Sequence, residues 1–105
     1  MAKIDFVDLG KSIQYSPGSV VSKTLLDKKA GTLTLFAFDQ GQALSEHTAP
    51  FDAVVQILEG EAHLTIGGQK IIAPCGTIAI MPAGVPHSVK AEQRFKMLLT
   101  MIRSD

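Results

Sequence analysis

The sequence predicts an all-β domain, a sandwich or barrel of many short strands. Runs of strand length recur along the chain, separated by turn signals about every 8–12 residues. Nine glycines and five prolines are spread through the chain rather than clustered. No stretch carries the apolar period of a helix. At 105 residues the chain is one domain, large enough to bury a core without staples.

In order, residues 1–19 mix polar and apolar positions around the turn signal Ser16-Pro17-Gly18-Ser19. They are expected to form a short edge strand at most, with Ile4, Phe6 and Val7 packing onto the rest, and to serve as an edge or dimer segment beside a barrel over 20–103. Val20 to Leu26 is the first strand. A turn over Asp27 to Gly31, closed by the glycine, leads into Thr32 to Phe38, rich in β-branched and aromatic residues. Gly41 opens a short strand ending near His47, Pro50 interrupts it, and Ala53 to Leu58 resumes. After the hairpin Glu59-Gly60-Glu61, residues Ala62, Leu64 and Ile66 alternate with Glu61, His63 and Thr65, a period of two with one wet face. Gly67-Gly68 is a hairpin signal. Gln69 to Ala73, Thr77 to Met81, Ser88 to Ala91 and Phe95 to Arg103 complete the strands.

Composition excludes several function classes. Ten acidic and ten basic residues are interleaved with no basic run, which argues against nucleic acid or an anionic membrane as partner. No stretch approaches the roughly 20 apolar residues of a membrane span. The acids in MAKIDFVDLG do not suit a signal peptide, and a single cysteine, Cys75, forms no internal disulfide, so a cytoplasmic setting is expected. The runs Leu33 to Phe38 and Lys96 to Ile102 are apolar on both faces. One face fills the barrel; the other needs cover, from a second copy in a homodimer, which we expect, or from residues 1–19.

Two stretches organise the chain. GQALSEHTAPFDAVVQILEG runs from Gly41 to Gly60, and GTIAIMPAGVPH from Gly76 to His87. With Gly41, His47 and Gly60 in the first and Gly76, Pro82, Gly84 and His87 in the second, the pair resembles the two signature motifs of the cupin family. That resemblance implies a double-stranded β-helix, or jelly roll, with both motifs feeding one open mouth of the cupin barrel. It also implies that His47 and His87 point into one cavity. The family's metal sites use three histidines and a glutamate around iron, manganese, nickel or zinc. Here the second histidine is replaced by Ala49, the glutamate by Ala53 and the second motif's asparagine by Ala91.

The expected ligand pocket therefore comprises His47, His87, Ala49, Ala53 and Ala91. A metal on His47 and His87, completed by waters, a polar side chain or ligand, stands beside a metal-free pocket in which the imidazoles donate and accept hydrogen bonds. His63 falls on the wet face, and Asp52 and Gln56 have the wrong parity to replace the missing carboxylate. Asp52 is expected to hold a turn. Cys75 has no activating neighbour in sequence. Met81, Met97 and Met101 are read as core fillers rather than copper ligands. Three functions stay open: a module binding a small anionic or sugar-like ligand, a metal-dependent oxygenase or isomerase with a reduced ligand set, and an interaction domain with a vestigial pocket.

Overall fold

The computed structural model describes residues 6–103, so Ile4 lies outside the described residues. Among the described residues nine strands form: β1 (Val20–Lys28), β2 (Gly31–Phe38), β3 (Ala43–His47), β4 (Asp52–Glu59), β5 (Glu61–Ile66), β6 (Gln69–Pro74), β7 (Ile78–Met81), β8 (His87–Lys90) and β9 (Phe95–Ile102). No helix is present among the described residues, so none is long and apolar enough to cross a membrane. The strands make two antiparallel sheets, ordered β1-β2-β9-β4-β7 and β3-β8-β5-β6, which face each other as a double-stranded β-helix.

The alternation in the sequence decides what lies between the sheets. Phe38, Val55, Ile57, Leu64, Phe95 and Met97 are fully buried there, with Phe38 and Phe95 stacked at 4.5 Å between ring centroids. Ala62 and Leu64 point in, while His63 and Thr65 stay on the outer face. Gly67 and Gly68, with φ of 57° and 83°, make the two-residue β5–β6 turn that only glycine adopts without strain.

The β1–β2 turn is tighter than expected. Lys28 pairs with Gly31, leaving Lys29 and Ala30 as the whole turn. Gly31 is instead the first residue of β2, outside the left-handed region, and a Cβ there would lie 2.1 Å from the Met101 carbonyl oxygen on β9. Close approach of a neighbouring backbone, rather than turn chemistry, requires this glycine.

Between residues 6 and 19 no strand forms. Phe6 is 88% exposed and Val7 49%, so neither packs as expected. Cover comes from further along: Ile13 is buried against Leu35 and Ala37, with Leu9 and Tyr15 beside it. The Lys96 ammonium, itself buried, donates to the Gly10 carbonyl at 2.8 Å and lies 5.1 Å from the centre of the Tyr15 ring. Tyr15 donates its hydroxyl proton to Glu59. This segment covers only part of the outer face of the five-stranded sheet. A directly paired row, Leu26–Leu33–Thr100–Val54–Ile80, crosses all five strands on that face beyond its reach. Ile78 and Ile80 are each 63% exposed.

Candidate functional site: a histidine pair in the barrel mouth

His47 ends β3 and His87 begins β8, and the two are direct partners in the β3–β8 ladder. Forty residues of sequence separate them, and one sheet register joins them. A register shift between Leu44 and His47 lets the edge strand reach this pairing. The rings meet edge to face, with centroids 4.4 Å apart, planes at 71°, and Nε2 atoms 3.1 Å apart. His87 is buried and His47 is exposed at the rim.

The other ring nitrogens fix the tautomers. Nδ1 of His47 lies 2.8 Å from the Ser45 carbonyl oxygen, and Nδ1 of His87 lies 3.1 Å from that of Val85. A carbonyl oxygen only accepts, so both Nδ1 atoms carry the proton and donate. In two neutral rings both Nε2 atoms would then present lone pairs to each other across 3.1 Å. That contact is attractive only with a cation between them: a proton shared as N–H···N, or a metal ion.

Behind the pair is a cavity of about 60 Å³ lined by Leu44, His47, Ala49, Ala53, Met81, His87, Val89, Met97, Leu99 and Met101. Ala49 and Ala53 thus bring methyl groups to the space where the family's metal site has an imidazole and a carboxylate. Ala91 lies apart. It is fully buried in the core, and its backbone bonds to Gly41 and Gln42 at the opposite end of the β3–β8 ladder, about 13 Å of extended chain from His87. Asp52 Oδ1 accepts the Ala83 backbone N–H at 2.9 Å and ties the two motif loops together, while Gln56 is exposed on the outer face.

His63 stays outside, 3.7 Å from Glu61, in a surface hollow of about 480 Å³ that shares no residue with the cavity. Cys75 is exposed, and its thiol donates to the Leu58 carbonyl at 3.2 Å.

The family's four-ligand set does not fit these residues. Among the described residues no group of three or more His, Cys, Asp or Glu is placed to hold a metal. Zinc and its neighbours ordinarily take three or four protein ligands of that kind. The sequence reading did not place the methionines at the site. Ala53 pairs directly with Met81 on β7 and with Met101 on β9, so a thioether side chain flanks it on each side. The sequence reads the β9 run as apolar on both faces, so it does not single out Met97, Leu99 and Met101 as facing the cavity. Which residue of β4 they would meet depends on a register that local sequence does not carry.

The family model of the cupin domain matches residues 34–102. No curated protein matches the chain. Among solved structures, a conserved protein of unknown function from Streptococcus pyogenes is 31% identical, with a TM-score of 0.91, over 100% of this chain and 92% of that one. A cupin 2 conserved barrel domain protein from Leptotrichia buccalis is 38% identical, with a TM-score of 0.90, over 92% of this chain and 47% of that one. A cupin superfamily protein from Desulfitobacterium hafniense is 28% identical, with a TM-score of 0.90, over 99% of this chain and 95% of that one.

Proposed function

This chain belongs to the cupin family, and we propose that it is a binding module whose barrel mouth holds an ion or a ligand of a few heavy atoms on His47 and His87. The observation that carries this reading is the His47–His87 contact, with both Nδ1 atoms anchored and both Nε2 atoms converging on one point at the cavity rim. Size limits the ligand. Ordinary small-molecule pockets run to roughly 300–1,000 Å³, whereas this cavity is about 60 Å³, so a sugar ring does not enter it. Apolar walls around two polar groups suit selection by size and by charge.

A metal-dependent oxygenase or isomerase is the alternative. Iron, manganese, nickel or zinc would find two protein nitrogens here and would need water or substrate for the rest. The row Leu26–Leu33–Thr100–Val54–Ile80 on the five-stranded sheet, exposed at Leu26 and Ile80, supports pairing of two copies, because the row itself carries no charged side chain.

The test is a panel of formate, acetate, oxalate, phosphate and single metal ions, read by thermal shift and NMR on wild type and on His87→Ala. At least one ligand should stabilise wild type and fail to stabilise the variant, whose own melting temperature stays close to wild type. Equal responses from the two proteins would reject the assignment of His87.

A further inference from the structure

We propose that the barrel mouth is a site for a soft monovalent metal ion, copper(I), held by Nε2 of His47 and His87 and by thioether sulfur from the methionines around Ala53. The inference rests on the reading of the two histidines as the binding groups of the mouth and names what they bind. It departs from the family's ligand set of three histidines and a glutamate.

Nitrogen geometry is the first support. With metal–nitrogen bonds of about 2.0 Å, a 3.1 Å separation of the two Nε2 atoms subtends about 100° at the ion. Each ring's Nδ1–H is already committed to a backbone carbonyl, an outer-shell anchor that ligating histidines ordinarily have. The second support is the identity of the remaining walls. The carboxylate position is Ala53, and its two cross-strand neighbours are Met81 and Met101, with Met97 lining the same cavity. Thioethers select copper(I), whereas hard divalent ions take carboxylate, carbonyl or water oxygen. No carboxylate joins the histidines: among the described residues no group of three or more His, Cys, Asp or Glu is placed to hold a metal. A cavity of about 60 Å³ has room for a single metal ion.

The experiment uses the full chain carrying Cys75→Ser, because the exposed thiol is itself a soft ligand. Copper(I) is supplied anaerobically from a chromogenic chelator, and silver(I) serves as a redox-inert probe. The protein should withdraw one copper(I) per chain, and X-ray absorption should show both nitrogen and sulfur neighbours. Affinity should fall by about 100-fold or more in His47→Ala or His87→Ala. It should fall by about tenfold or more in the triple variant Met81→Leu, Met97→Leu, Met101→Leu, in which near-equal volumes preserve the core. Circular dichroism checks that each variant folds. Copper(I) left entirely on the chelator overturns the proposal, as does unchanged affinity in the folded triple variant. If copper(I) is refused while another ligand still distinguishes wild type from His87→Ala, the metal assignment falls and the binding module stands. If nothing distinguishes them, both fall.

Discussion

Replacing Gly31 by alanine should cost more than its place at the end of a hairpin suggests. The added Cβ would lie 2.1 Å from the Met101 carbonyl oxygen and 3.2 Å from its carbon, both backbone atoms with no rotamer to give way. Ordinary carbon–oxygen contacts are about 3.3 Å or longer, so the start of β2 must move more than about an ångström from β9. Overpacking of this kind costs about 1–3 kcal/mol. Weakening of one ladder hydrogen bond adds about 1 kcal/mol. Alanine returns about 0.4–1 kcal/mol by restricting the unfolded chain. The net loss is about 1–3.5 kcal/mol, or roughly 4–28 °C in melting temperature for a domain of this size. Urea and thermal melts followed by circular dichroism measure it. Gly10→Ala is the control, because a Cβ there meets nothing closer than 3.7 Å and its φ lies outside the left-handed region. Gly31→Ala within about 0.5 kcal/mol of wild type would show that the strand end yields freely and refute the close-approach account.

Three further outcomes are expected. Ile13→Ala should destabilise the fold by about 2–4 kcal/mol and expose the segment around Lys11 to trypsin, because Ile13 anchors residues 9–15 on Leu35 and Ala37; an unchanged urea midpoint would mean the segment contributes no stability. Burial, then the hydrogen bond to Glu59 and that group's charge, raise the Tyr15 pKa above its ordinary value. The neutral phenol therefore stabilises the folded state fully below the unfolded value of about 10, and the contribution is lost as pH rises toward the folded value. Tyr15→Phe should flatten the alkaline decline in stability seen in wild type, and identical slopes would sink this account. Sedimentation of wild type should show two copies associated, and Ile80→Lys, at a 63% exposed position, should give monomers of nearly unchanged stability; a monomeric wild type would refute pairing through that face.

The strands were legible because each rule involved is local. Gly67-Gly68 announces its turn, the alternation from Glu61 to Ile66 fixes its inward face, and Pro50 breaks the chain between β3 and β4. What stayed hidden depends on contacts across strands. Phe6 and Val7 are as apolar as Ile13, but only the path of the chain shows that Ile13 reaches Leu35 and Ala37. Gly31 has an ordinary hairpin context, and its constraint comes from β9. The histidines were visible through motif spacing. Met81 and Met101 were visible only as apolar residues, because their place beside Ala53 is a property of two strand registers.

The direct pairing of His47 with His87 in the β3–β8 ladder has a consequence for how such a site can change over time. The two rings are positioned by backbone pairing of the strands and by one backbone carbonyl each, not by a third or fourth ligand. Drift at positions 49 and 53 can therefore exchange one chemistry for another while the pair keeps its geometry. The sheet acts as a fixed two-pronged socket, and the neighbouring inward positions are interchangeable fittings.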